Sequence, residues 1–125
     1  MNEQPILVVD DDPTILATVS EALDFEGFSV LTARNGAEAL EMVDRTSPSL
    51  VLLDMRMPVL DGWGFMHALR ERKLSVSVIV MTAAADARRW AREIGAQAVL
   101  AKPFELDELL GAVQRLRSPR PRLEG

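Results

Sequence analysis

Four consecutive aliphatic residues, Leu50-Val51-Leu52-Leu53, run directly into Asp54 and then into a loop that holds Pro58 and an Asp61-Gly62 turn. A run with no polar member has no face to give to water, so it reads as a strand covered on both sides, as in parallel sheets flanked by helices. The run stops at an ionisable group. In open parallel sheets, ligands gather outside the carboxyl ends of the strands, which places Asp54 to meet one.

The rest of the chain supplies the layers such a strand needs. Pro5-Ile6-Leu7-Val8-Val9 reads as a first strand ending in Asp10-Asp11-Asp12-Pro13, followed by a helix with Ile15, Val19, Ala22 and Leu23 on one face and Gly27 at its close. Asp12 fits the N-cap of that helix with Pro13 at its first position. Phe28 to Ala33 is the second strand. Asn35-Gly36 opens a helix through Ala39, Leu40 and Val43 that breaks at Ser47-Pro48 before the central strand. A short helix carries Phe65, Met66 and Leu69, and Val76 to Met81 is a fourth strand ending at Thr82-Ala83. A helix from Asp86 to Ile94 stops at Gly95. Ala98 to Ala101 is the fifth strand, running into Lys102-Pro103-Phe104, and a last helix spans about Glu105 to Arg117. Five strands alternating with five helices predict one α/β domain over 1–117, with a parallel sheet, right-handed crossovers and helices on both faces. Residues 118–125, with Pro119 and Pro121, cannot continue the helix and read as a Pro/Arg tail or linker, and the last three also fit a scar from cloning.

Composition removes several kinds of chemistry. The 125 residues include no cysteine and one histidine, which excludes disulfides, thiol catalysis, Cys-ligated zinc and a His-based metal cluster. A net charge of -5 speaks against nucleic-acid binding by this domain. The polar start and the lack of a long apolar run predict no signal peptide and no membrane span, hence a cytoplasmic protein.

Taken together, the strand ends carry Asp10 and Asp11, Asp54, Thr82 and Lys102. On one rim of a parallel sheet with strands about 4.8 Å apart, these side chains come within reach of each other. Two unit charges about 4 Å apart repel by about 4 kcal/mol at an effective dielectric of about 20, so three carboxylates need positive charge beside them. Lys102 supplies one. The excess leaves room for a divalent cation, and an all-oxygen donor set suits Mg²⁺. Such a site serves phosphoryl transfer, with Asp54 as the nucleophile and with Thr82 and Lys102 facing the phosphoryl oxygens.

Val8-Val9-Asp10-Asp11-Asp12, Leu53-Asp54-Met55-Arg56-Met57-Pro58 with Asp61-Gly62, Met81-Thr82-Ala83 and Lys102-Pro103-Phe104 together resemble a response regulator receiver domain, over about Pro5 to Arg117. The resemblance implies a flavodoxin-like sheet and phosphorylation of Asp54 from the phosphohistidine of a sensor histidine kinase or phosphotransfer protein. It implies that Asp11 and Asp54 bind Mg²⁺ directly, that Asp10 acts mainly through water, and that the Arg56 backbone carbonyl completes the protein ligands. It also implies a cis bond between Lys102 and Pro103. Partner docking, to an output domain, another protein or a second copy, is expected on the 86–94 helix, the fifth strand and the last helix. Arg56 and Ala84 stand where the family tunes loss of the phosphoryl group. The chain departs from the pattern at Val99, where receivers commonly carry an aromatic ring that turns inward on activation. Readout is therefore expected from the loop at Thr82 and the 86–94 helix.

Other readings are weaker. A pseudo-receiver that takes no phosphate conflicts with the complete set of Asp10, Asp11, Asp54, Thr82 and Lys102. A Mg²⁺-dependent phosphatase would need a second acid where Arg56 stands, together with a substrate cap, and an FMN binder would need donors where the first loop is acidic. His67 reads as a partly exposed helical residue. Trp63 and Trp90 read as semi-buried packing, with Trp90 the better candidate for an interface.

Overall fold

The computed structural model describes residues 4–57, 59–74, 76–83, 89, 92–93 and 95–116. Five parallel strands form one sheet: β1 (Ile6–Val9), β2 (Val30–Ala33), β3 (Leu50–Asp54), β4 (Ser77–Ala83) and β5 (Ala98–Lys102). Their order is β2-β1-β3-β4-β5, the flavodoxin-like arrangement. Four helices are described: α1 (Pro13–Phe25), α2 (Gly36–Thr46), α3 (Gly62–Glu71) and α4 (Leu106–Leu116). The helix expected over 86–94 falls mostly outside the described residues, and so do Pro58, Ala84, Trp90 and the tail from 117 onward. No helix among the described residues is long and apolar enough to cross a membrane.

Strand alternation divides the core in two. Leu7, Val9, Val51, Leu53, Val78 and Val80 face α2 and α3, together with Phe65, Met66 and Val43. Ile6, Val8, Leu50, Leu52, Ile79 and Met81 face α1 and α4, together with Val19, Leu23, Leu109 and Val113. Every residue of β3 is buried, so the opening apolar run needs its two coats of helix. Each large aliphatic side chain removed from water contributes about 1.5–3 kcal/mol, and β1, β3 and β4 hold most of them.

Helix entries match the local sequence. Asp12 caps α1 by accepting the Thr14 N–H at 2.9 Å, Asn35 caps α2 through Glu38 N–H at 2.9 Å, and Asp61 caps α3 through Gly64 N–H at 2.9 Å. Ser47 ends α2 in the left-handed region at φ 49. Several boundaries moved from expectation. β2 begins at Val30 rather than Phe28, and β4 and β5 continue through Thr82-Ala83 and Lys102, so Thr82 and Lys102 are strand members rather than the first loop residues. Leu16, absent from the expected face of α1, is buried there, while Ile15 is only partly covered.

Candidate acidic site at the strand ends

The order β1-β3-β4-β5 brings the carboxyl end of β1 against that of β3, with β4 and β5 beyond. Asp10 follows β1, and Asp54 is the last residue of β3, paired in register with Met81. By alternation Asp10, Asp54 and Lys102 keep the parity of Val8, Leu52 and Leu100, so all three leave the sheet on the α1–α4 side. Lys102 Nζ lies 2.8 Å from Asp10 Oδ2 and 3.4 Å from Asp54 Oδ1. One ammonium thus bridges two carboxylates held at the ends of different strands.

Asp10 is fully buried and both of its oxygens are engaged, since Oδ1 accepts the Asp12 N–H at 2.9 Å and Oδ2 accepts Lys102. Asp54 is 6% exposed and accepts the Arg56 N–H on Oδ1 at 3.4 Å. Asp11 is exposed. Carboxylate oxygens of Asp10, Asp11 and Asp54 lie within 4.8 Å of one another. This all-oxygen, carboxylate-rich set fits a hard divalent cation that retains several waters. Asp11 and Asp54 have oxygens to offer it directly, whereas Asp10 is already committed on both sides.

The electrostatics record the crowding. Burial, reinforced by the Asp10 carboxylate, lifts the Asp54 carboxyl from 3.8 to about 6, against the opposing pull of Lys102 and the Arg56 N–H. Burial also works against the Lys102 ammonium, but its hydrogen bond to Asp10 and the charges of Asp10 and Asp54 overcome that and hold its pKa above the ordinary value. Two acids and one base are packed together with negative charge in excess.

Thr82 is buried near the end of β4, one residue past Met81, the register partner of Asp54. Among the described interactions it makes no hydrogen bond to the acidic cluster. The strand ends therefore bring together Asp10, Asp11, Asp54 and Lys102. The peptide between Lys102 and Pro103 is cis, as the resemblance implies. Val99 pairs with Val80 and packs partly buried against the α2–α3 core.

The family-model comparison gives a match to the response regulator receiver domain over residues 6–114. The chain belongs to that family. This receiver is 44% identical over 113 residues to the transcriptional regulatory protein PrrA of Mycobacterium leprae, covering 89% of the chain but only 48% of that relative. It is 38% identical over 117 residues to the sporulation initiation phosphotransferase F of Bacillus subtilis, covering 92% of the chain and 94% of the relative. The chain thus spans about half of the first protein and nearly all of the second. Among solved structures, a Francisella response regulator receiver domain superposes with a TM-score of 0.84 at 28% identity, covering 91% of this chain and 96% of that one. The chemotaxis response regulator CheY4 of Vibrio cholerae gives 0.83 at 29% identity, with 92% and 99% covered.

Two features of the site were not legible as motifs. An apolar groove of about 430 Å³ opens beside Lys102, walled by Ile15 and Val19 of α1 with Pro103, Phe104 and Leu106. Phe104 and Ile15 are ordinary apolar residues in sequence, and only the meeting of α1 with the end of β5 turns them into one surface. The loop after Asp54 is also seated on glycines. A Cβ at Gly62 would lie 2.8 Å from the Met55 Cα, and one at Gly64 would overlap the Leu60 side chain.

Proposed function

We propose that this receiver is a phosphorylation-controlled switch in which Asp54 accepts a phosphoryl group from the phosphohistidine of a histidine kinase or phosphotransfer protein, with Mg²⁺. The observation that carries this reading is the bridge of Lys102 to Asp10 at 2.8 Å and Asp54 at 3.4 Å, with Asp11 beside them. Asp11, Asp54 and the Arg56 backbone carbonyl are the residues assigned to hold the cation, and Asp10 acts through water. Mg²⁺, when bound, neutralises the carboxylates and the phosphoryl oxygens.

The chain's own residues do the rest. An Asp54 carboxylate oxygen forms the new bond to phosphorus while the bond from phosphorus to the donor imidazole breaks, and the imidazole nitrogen keeps the electron pair and takes a proton. Lys102 is already within 3.4 Å of the attacking carboxylate and pairs with the new phosphoryl oxygens. Thr82 supplies a hydroxyl donor after moving toward the phosphoryl group. The added charge of about -1.5 to -2 then biases an existing two-state equilibrium. With Val99 in place of a ring, the change passes through the Thr82 loop and the 86–94 segment to an output domain or protein partner at β5 and α4.

Intact mass after incubation with Mg²⁺ and acetyl phosphate tests the reading. The expected result is one phosphoryl adduct on the wild type that requires Mg²⁺ and is absent from Asp54→Ala. A folded wild type that takes neither a phosphoryl adduct nor beryllofluoride would instead be a phosphorylation-independent interaction module.

A further inference from the structure

The loop that leaves Asp54 is pinned at three points. Gly62 N–H donates to the Met55 carbonyl at 3.1 Å, Asp61 caps α3, and the N–H of Gly36 donates to the Leu60 carbonyl at 3.0 Å. The first two pins are local. The third comes from α2, which enters from the edge strand β2, and it ties the loop to a part of the chain that supplies no residue to the acidic cluster.

Nothing in α2 itself calls for glycine at position 36. It has no positive φ, and alanine favours a helix over glycine by up to about 1 kcal/mol. The loop does call for it. A Cβ at Gly36 would overlap the Leu60 carbonyl oxygen and lie 2.9 Å from the Leu60 Cβ, so the obstacle includes backbone that no rotamer change can clear. Val59, just before Leu60, holds φ 71 while 80% exposed. A β-branched residue stays in the left-handed region only where its neighbours over-determine the backbone, and the Gly36 clamp is such a constraint.

We propose that Gly36 is a positioning residue for the acidic site: its clamp on Leu60 fixes the loop in which the Arg56 backbone faces Asp54. The proposal rests on the reading of Asp11, Asp54 and the Arg56 carbonyl as the Mg²⁺ ligands. Displacing the loop moves the one ligand that is not a carboxylate, so the predicted loss is in cation affinity.

The test is calorimetric titration of Mg²⁺ alone into the metal-free full chain. Gly36→Ala is expected to lose about tenfold or more in affinity, the scale of groups that orient metal ligands. Val43→Ala empties a core position on the same helix, and Gly111→Ala adds a Cβ that meets only the Arg115 side chain, at 3.6 Å. Both should bind Mg²⁺ as the wild type does. Unchanged affinity in Gly36→Ala, or an equal loss in Val43→Ala, overturns the proposal. If Gly36→Ala does not fold, a semisynthetic chain with an ester in place of the Asn35–Gly36 amide removes the Gly36 N–H alone, and there a loss of affinity supports the proposal while wild-type affinity overturns it. A wild type that binds no Mg²⁺ overturns the metal reading, and this proposal with it.

Discussion

Asp54 is a buried acid that the metal-free fold holds in an uncomfortable state. Its carboxyl is lifted from 3.8 to about 6, so between these values the folded chain binds a proton that the unfolded chain has released. Stability then falls as pH rises: the contribution of the protonated form is complete below about 3.8 and is lost as pH climbs through about 6. Asp54→Asn keeps an acceptor for the Arg56 N–H and removes the charge. In EDTA at pH 7.5 it should raise the unfolding free energy by roughly 1–2 kcal/mol, after allowance for solvent at the open rim, and the gain should shrink below pH 5 in urea titrations. Lys102→Met acts in the opposite direction. It leaves fully buried Asp10 without its cation, and a loss of about 3 kcal/mol is expected, much of it recovered in the Asp10→Asn, Lys102→Met pair. A Lys102 single variant as stable as the wild type would show that the bridge does not anchor Asp10.

At the scale of elements, the sequence was most readable where one physical demand dominates. The run 50–53 has to be covered on both faces, Asp12, Asn35 and Asp61 stand where helix N–H groups lack partners, and each strand end that breaks apolar patterning with a polar group lies on the same rim. Segments governed by contacts between distant elements were less readable. Nothing near Gly36 announces that Leu60 will arrive against it, and Val59 reads as a strand former although it occupies the left-handed region in a loop. Val59 offers a direct check at this scale. Its side chain is 80% exposed, so Val59→Gly loses little burial and relieves a left-handed conformation that disfavours β-branched residues by about 1–2 kcal/mol. Set against the greater freedom of glycine in the unfolded chain, a net gain of about 0.5–1 kcal/mol is expected in chemical denaturation. A net loss would mean that the Val59 side chain makes stabilising contacts its exposure does not suggest.

For the whole molecule, the sheet order sets how the site is put together. β1 lies inside the sheet, between β2 and β3, so the first strand made is covered on both sides only after β3 exists. The two cores on opposite faces draw on β1, β3 and β4 alike, which makes the domain cooperative rather than a sum of halves. A fragment 1–71, holding β1 to β3 and α1 to α3 but neither β4 nor β5, should therefore lack stable structure by circular dichroism and amide hydrogen exchange. Protection in its β1 comparable to that in the intact chain would refute this. The bridge from Lys102 to Asp10 closes across 92 residues of sequence. On a ribosome adding about 5–20 residues per second, the nascent chain carries Asp10 for about 5–20 seconds before its cation is even synthesised. From the making of Asp54 until β4 follows, about 2–6 seconds at that rate, the edge of β3 that β4 covers has no partner strand, so a cell making this protein has reason to shield it with a chaperone until β4 emerges.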